Sequence, residues 1–531
     1  MSVAEERAGR ANRPAGPAKG RIPRQIPYII GNEACERFSF YGMRNILTQF
    51  LVSSSILAAT ANTTLREAEA KEIFHVFVMG VYFFPLLGGW LSDRYLGKYR
   101  TILWLSLVYC AGNACLALYT DSKPGFYTGL FLISLGSGGI KPCVSAFVGE
   151  QFDQSNKHLA KVVFDAFYWI INFGSFFASL LIPLALQVWG PGVAFGIPGA
   201  LMFVATLIFW LGRRRYVVEP PTPADPHSFG RVCWTALRSG SFGMGVFVAG
   251  AVLALACLAV IPLVEALSVV TGICLALVVF AASAGIGAWV QIDAARTRHP
   301  EDDVEGARTV LRVLILFALV TPFWSLFDQK ASTWVLQGTR MELPGWSWFK
   351  SASQMQSLNP LLVMLLIPLN NLALFPLVRK MGVEVTALRR MTTGIALSGL
   401  AWIGAGMFQL RIDDGETLSI LWQMLPYVLL TMGEVLVSAT GLEFAYSQAP
   451  PKLKGVLMSF WLLSVTVGGL WVLLVNSTVK SESFTHWIES SSGIGVISFQ
   501  MFFFAIFAFA AAAAFGVYAK RYTLKDYYRK A

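Results

Sequence analysis

Charge is what this chain has least of. Only 14% of its 531 residues are Asp, Glu, Lys or Arg, against 55% hydrophobic, whereas a soluble protein carries about 25% charged residues. With a mean hydropathy of +0.58, that scarcity excludes an ordinary soluble protein and places the chain in a membrane. Histidine is equally sparse. His75, His158, His227, His299 and His486 are scattered along the sequence, which argues against a haem or histidine-metal enzyme. The seven cysteines form no CxxC pair, so neither a zinc site nor a disulfide framework is expected, and they read as small buried helix residues. No phosphate-binding glycine loop follows a strand, and no nucleophile and base stand at a family-like spacing. The chain therefore reads as a non-enzyme without a cofactor. The first 25 residues, MSVAEERAGRANRPAGPAKGRIPRQ, lack an apolar core followed by a small-residue cleavage site, and are expected to form a cytoplasmic tail rather than a cleaved signal peptide.

Long apolar runs, by contrast, are plentiful. Stretches of about 18 residues or more, enough to cross a bilayer, recur near 26–56, 72–92, 100–120, 126–149, 162–188, 192–212, 242–263, 267–290, 309–337, 354–378, 384–409, 418–446, 454–478 and 490–519. The basic residues order these spans. One set of connections holds Arg94, Lys98, Arg100, Lys157, Lys161, Arg213, Arg214, Arg215, Arg296, Arg298, Arg308, Arg379, Lys380, Arg389, Arg390, Lys452 and Lys454, and the C-terminus adds Lys520, Arg521, Lys525, Arg529 and Lys530. The opposite connections hold only Arg66, Lys123, Arg340, Lys350, Arg411 and Lys480. That asymmetry predicts an even number of spans with both termini cytoplasmic, and it accounts for the net charge of +11 through anionic lipid rather than nucleic acid.

The predicted organisation follows. Residues 1–25 form the tail, 26–215 a six-helix bundle, 216–241 a polar Pro-rich cytoplasmic linker, 242–291 an inserted two-helix hairpin, 292–307 a second linker, 308–520 another six-helix bundle and 521–531 a tail. The hairpin is almost wholly Ala, Val, Leu, Gly and Ile, with Glu265 at its turn, and a packing role is expected of it.

Few ionisable residues then remain at membrane depth: Glu33, Glu36, Arg37, Arg44, Lys141, Asp328, Lys330, Glu434 and Glu443. Each costs about 2.5–3.5 kcal/mol at the bilayer centre, and such residues usually mark an ion or substrate path. In NEACERFSFYGMR, positions 33, 36, 37, 41 and 44 are three or four apart. On a helix that makes one face, carrying Glu33, Glu36, Arg37, Tyr41 and Arg44. Two carboxylates beside one guanidinium favour holding a proton on one of them, a plausible coupling device. The same spacing also suits a buried ion triad that only locks two helices together. Lys141 lies in a Gly-rich fourth span and Glu434 deep in the twelfth, so the halves bring opposite charges to one midplane cavity, where alternating-access carriers place their sites. Asp328 faces Arg44 across the same gap. Lys330 and Glu443 are expected near the interfaces, snorkelling. Tyr82, Tyr168, Asn172, Trp324, Asn359, Ser438 and Trp461 surround these charges. Together they describe a wet cavity for a zwitterion, its carboxylate at Arg37, Arg44 or Lys141 and its ammonium at Glu434.

These segments resemble the proton-dependent oligopeptide transporter (POT) family of the major facilitator superfamily. EACERFSFYG (33–42) looks like the family's ExxERFxYYG motif, and FYWIINFGSF (167–176) like its FYxxINxGS signature. GGWLSDRYLGKYRTI (88–102), GSGGIKPCVSAFVGEQF (136–152), QSLNP (356–360) and GEVLVSATGLEFAYSQAP (433–450) also look like family blocks, in order along the chain. The resemblance implies the major facilitator fold, with an inserted helix pair typical of bacterial members, in the bacterial inner membrane. It implies a monomeric symporter importing di- and tripeptides with protons. Glu33, Glu36, Arg37 and Glu434 would couple protons. Arg44 with Asp328, and Lys141 with Glu434, would act as gates. Arg37, Tyr41, Arg44, Tyr82, Lys141, Tyr168, Asn172, Trp324, Asn359, Glu434, Ser438 and Trp461 would bind substrate. Phe40 departs from the motif's first tyrosine, and His75 occupies the place of a histidine that animal members use in coupling; here a modest or structural role is expected. A relative carrying nitrate or a peptide-like drug on the same fold is the alternative. A drug–proton antiporter and a polytopic membrane enzyme are the more distant ones.

Overall fold

A computed structural model describes residues 22–152, 159–221, 225–264, 267–448, 450 and 453–522. Residues 1–21, Lys157, Glu265, Lys452, Lys525, Arg529 and Lys530 lie outside them. The described chain is helical throughout, with no strand and a single bridge between Glu342 and Ser419.

The first half is built from α1 (Ile26–Ser53), α2 (Thr63–Leu91), α3 (Lys98–Leu118), α4 (Lys123–Glu150), α5 (Ala160–Trp189) and α6 (Pro191–Leu211). A short α7 (Phe229–Arg238) leads to the hairpin α8 (Ser241–Val260) and α9 (Val269–Val290). The second half begins with α10 (Glu301–Asp328) and its short extension α11 (Thr333–Thr339). It continues through α12 (Leu358–Leu369) and α13 (Phe375–Lys380), α14 (Ala387–Asp413), α15 (Met424–Glu434) and α16 (Thr440–Gln448), α17 (Lys454–Asn476), α18 (Glu482–Ser492) and α19 (Val496–Arg521). One widened π turn joins α12 to α13 and another, Val435–Ala439, joins α15 to α16, so each pair crosses as one broken span.

Among the described residues, thirteen helices are long and apolar enough to cross a membrane. α1 is the fourteenth long helix. It falls short in apolarity because each eighteen-residue window of it holds at least three charged residues, which is the anomaly its sequence announced. Two spans begin well before their apolar runs. α2 starts at Thr63 rather than near 72, because the Asn62 side chain accepts from the Thr64 and Leu65 amides and caps a polar first turn. α10 starts at Glu301 rather than near 309, with Glu301, Asp302 and Asp303 against its positive N-terminal dipole.

In the first half, α1 packs on α5 and α6, α3 on α4 and α6, and α2 on α4. In the second, α10 packs on α17 and α19, and α14 on α15 and α19. α14 and α15 meet closely at glycine: a Cβ on Gly433 would stand 2.7 Å from the Gly394 carbonyl oxygen. The two bundles touch where α2 lies along α17 and where α5 meets α12 and the turn at 352–357 that precedes it. α8 and α9 pack on each other through Gly243, Gly250, Ser283 and Gly287, and only 17% of each apolar window is buried, so the hairpin stands largely in lipid.

The linker carries a helix that its composition did not announce. Residues 229–238 are helical, because Val232, Ala236 and Leu237 bury one face against Ala288, Ile292 and Ala307. α7 is a short amphipathic helix whose Arg231 and Arg238 stay exposed.

Candidate functional site

The charged face of α1 folds as its spacing requires. Arg37 Nε stands 2.6 Å from Glu33 Oε1 and 3.1 Å from Glu36 Oε2. That nitrogen has one hydrogen, and it is donated to Glu33. Glu36 therefore has the guanidinium charge beside it but no hydrogen bond at Oε2. Its other oxygen accepts from Ser137 Oγ of α4 at 3.3 Å. Both carboxylates are buried, 1% and 2% exposed. A carboxylate oxygen that is buried, close to a cation and free of donors can take up a proton without breaking an existing bond.

Lys141, on α4, sits over the rings of Phe40 (4.3 Å) and Tyr82 (4.5 Å). Its aromatic neighbours stabilise the ammonium by cation–π attraction, and Phe40, the motif's departure from tyrosine, supplies one of those faces. The expected Lys141–Glu434 pair is not formed in this structure. Glu434 is engaged within its own bundle: Asn359 Nδ2 donates to Glu434 Oε2 at 2.5 Å and to Thr431 Oγ1 at 3.1 Å.

The other side of Asn359 carries the main correction. Lys330 Nζ donates to Asn359 Oδ1 at 3.0 Å and lies over the Phe327 ring. It is 4% exposed, so it does not snorkel. Lys330, Asn359 and Glu434 form one relay in the second bundle, with the amide bridging the cation and the carboxylate. The sequence held a signal, a lysine two residues after Asp328 in an apolar run. Only the turn after α10 aims it inward. Glu443 does lie at the surface, near Arg390 at 3.4 Å.

Arg44 and Asp328 join the bundles directly, Nη2 to Oδ1 at 2.6 Å, and are 5% and 3% exposed. The same end of the molecule carries further bridges between the bundles. Thr48 Oγ1 donates to the Ala331 carbonyl (3.0 Å), and Gln356 Nε2 to the Asn45 carbonyl (2.9 Å). His75 Nε2 and Ser332 Oγ share a hydrogen bond of 3.0 Å. Arg340 makes two hydrogen bonds to Glu67, at 2.7 and 2.8 Å, and Lys480 pairs with Glu72. In the sequence Arg340 and Lys480 count only as charges of the connections, and Glu67 and Glu72 go unremarked. This end is shut. At the opposite end Tyr168 is 46% and Trp169 53% exposed.

Between the clusters stand the remaining residues. Tyr41 lies within electrostatic range of Arg37, Arg44, Glu36 and Glu434, and Tyr168 of Glu434. Asn172 donates to the Tyr168 carbonyl at 3.0 Å. Trp324 and Trp461 meet edge-on, centroids 5.8 Å apart, and Trp324 Nε1 is buried without a partner. Gly468 makes room for this pair: a Cβ there would stand 2.6 Å from that of Trp324. Ser438 is half-buried in the widened turn that follows Glu434. The site thus has a carboxylate-rich cluster on one bundle and an opposed Lys–Asn–Glu relay on the other. A closed ion pair stands at one end and exposed aromatic residues at the other.

The model of the POT family matches residues 99–492. Solute carrier family 15 member 2 of Oryctolagus cuniculus is 31% identical over 429 residues, covering 77% of this chain and 53% of that protein. The chain spans about half the length of the curated relatives it matches. The crystal structure of an auto-inhibited POT family peptide transporter superposes with a TM-score of 0.91 at 61% identity, covering 96% of this chain and 99% of that one. The POT family transporter PepTSo, crystallised in meso, also gives a TM-score of 0.91, at 60% identity, over 94% of this chain and 99% of that one.

Proposed function

The chain belongs to the POT family, and we propose that it is a proton-coupled symporter importing di- and tripeptides by alternating access. The observation that carries this reading is the split charge. Glu33, Glu36 and Arg37 lie on one bundle and Lys330, Asn359 and Glu434 on the other, beneath a buried Arg44–Asp328 pair. A zwitterion with peptide-like separation of its ends can bridge such halves, and its loss frees them to move apart.

On this reading, both termini are cytoplasmic and the shut end faces outward. A proton loads on Glu36, whose Oε2 has no donor, or on Glu434. The peptide carboxylate meets Arg37 or Lys141 and its ammonium meets Glu434, displacing Asn359 and Lys330. Tyr41, Tyr82, Tyr168, Asn172, Ser438 and the Trp324–Trp461 pair line the side-chain space. Arg44 and Asp328 close behind the substrate. Deprotonation on the inner side restores the Glu–Arg contacts and releases the peptide. The electrical part of the gradient supplies about 2.3 kcal/mol per charge per 100 mV. Of the alternative cargoes, nitrate lacks the cationic end that Glu434 would meet, whereas a peptide-like drug carrying both an ammonium and a carboxylate would fit the same split charge.

The test is uptake of a labelled dipeptide into proteoliposomes under an imposed inward proton gradient, competed by di-, tri- and tetrapeptides. Competition by di- and tripeptides but not by tetrapeptides supports the reading. Absence of gradient-driven accumulation refutes it.

A further inference from the structure

An apolar cleft of about 1730 Å³ lies away from the charged site, on the lipid side. Its walls come from three parts of the fold: α2 and α4 of the first bundle, α10 and α17 of the second, and α7 and α9 of the inserted unit. Along α2 the lining runs from Leu65 to Leu86. At the helical rise this is about 30 Å, the height of the hydrocarbon core.

The walls are mostly aromatic and aliphatic, and the hydroxyls of Ser134, Thr321, Ser464 and Thr466 along them already donate to carbonyls. Ser134 donates to the Phe77 and Leu130 carbonyls, Ser464 to the Trp461 carbonyl and Thr466 to the Met79 carbonyl. Thr321 donates to the Ala318 carbonyl and accepts from Trp471. Water would find few partners there, and an empty void would forfeit the dispersion contacts of its lining. Acyl chains meet neither objection.

The two ends differ in charge. At the end shut by Arg44 and Asp328, the rim charges are paired, Glu69 with Lys123 and Glu72 with Lys480. At the other, α7 floors the cleft with Phe229, Gly230, Cys233, Trp234 and Leu237, whose spacing makes one helical face. Arg231 and Arg238 share the flank beside Trp234. Arg238 lies over the Trp234 ring at 4.5 Å, and neither arginine meets a carboxylate among the described residues. An exposed tryptophan with free arginines on a short amphipathic helix suits the headgroup level of a membrane.

We propose that this cleft is a phospholipid site, with the acyl chains between the two bundles and α9 and an anionic headgroup held by Arg231 and Arg238. The inserted hairpin then has a role: it fences lipid into the seam along which the bundles move. Met79 of α2 and Leu470 and Leu473 of α17 pack there with Cys274, Leu275 and Val278 of α9.

Native mass spectrometry of the full-length chain tests this, titrating phosphatidylglycerol against phosphatidylcholine of identical chains. Two arginines predict roughly thirtyfold better retention of phosphatidylglycerol, and Arg231→Gln with Arg238→Gln removes that preference. Ala281→Trp, which fills the cleft wall, lowers retention of both lipids while the melting temperature of the detergent-solubilised protein holds. Glycerol phosphate without chains does not compete. Equal retention of the two lipids by the native chain, or an unchanged preference in the double variant, overturns the headgroup assignment. Full lipid retention in Ala281→Trp overturns the location, and competition by glycerol phosphate overturns the lipid as source.

Discussion

Arg44 of α1 and Asp328 of α10, 284 positions apart in sequence, meet at 2.6 Å with both side chains buried. Taking one partner from such a pair leaves an uncompensated buried charge, at about 3–5 kcal/mol. That penalty falls on the shut arrangement alone, because opening wets the charge.

Arg44→Gln is therefore expected to move the population toward an open gate end. Spin labels at the exposed positions Ala59 and Gly345 should report longer distances by pulsed electron resonance, and Arg44→Gln with Asp328→Asn should restore part of the closed distribution. Identical distance distributions in native chain and single variant would refute the gate.

Glu33 and Glu36 should separate in kind. Both Glu33→Gln and Glu36→Gln are expected to abolish proton-driven accumulation while peptide counterflow survives at least in part. Glu33→Gln also takes the charge from the acceptor of the Arg37 Nε hydrogen bond, weakening a charge-assisted bond worth about 1.5–3 kcal/mol, so it should lower thermal stability more than Glu36→Gln. Acid-driven uptake unchanged in both variants would sink the coupling assignment.

Glu434→Ala should weaken dipeptides with a free amino end more than N-blocked ones, since only the former present an ammonium. Lys330→Met is the complementary change. It leaves Glu434 bound by Asn359 without a nearby cation, and the KM for free-amino dipeptides should fall or hold while that for N-blocked ones rises. Uptake kinetics for the two substrate classes read both effects, and equal changes for both would remove the ammonium contact.

Gly468→Ala places a methyl group 2.6 Å from Trp324 Cβ. Overpacking of this kind costs about 1–3 kcal/mol and should displace Trp324 from Trp461. A fall in melting temperature together with reduced peptide affinity is expected. A fully active and equally stable variant would show that the tryptophan pair does not shape the pocket.

His227 and His299 face each other through their Nδ1 atoms at 2.9 Å, and Thr235 of α7 bonds His299 Nε2 at 2.9 Å. Burial, and then the His227 charge, lower the proton affinity of His299, with Arg231, Arg298 and Asp303 also in range. A base held neutral by the fold stabilises it fully above its ordinary value near 6.5, and this is lost as the pH falls through the lowered folded value. The protection of amides over 227–238 against hydrogen exchange, relative to their intrinsic rates at each pH, should therefore fall between neutral and mildly acidic pH, and His299→Ala should flatten that dependence. Protection independent of pH in the native chain would refute it.

The legible part of this protein was local. Glu33, Glu36 and Arg37 sit three and one positions apart, and a helix brings such residues together without help from the rest of the chain. The same holds for the spans, whose apolar length is a property of each segment. Boundaries were less legible at Thr63 and Glu301, where polar capping turns extend helices beyond the lipid that hydropathy senses. α7 escaped notice because its ten residues bury only Val232, Ala236 and Leu237, too short a pattern to stand out in a Pro-rich linker.

The partners across the molecule were a different matter. Lys330 looked like an interfacial lysine until the turn after Asp328 swung it onto Asn359, 29 residues on. Arg340 and Lys480 looked like loop charges until α2 brought Glu67 and Glu72 beside them. Sequence alone determined that this is a many-helix membrane protein with a charged stripe on its first helix, because helical periodicity and lipid solubility act residue by residue. Tertiary structure decided which charges pair, since pairing depends on how two bundles pack, and here they pack with one end shut. That is why Glu434 holds Asn359 in this structure rather than Lys141.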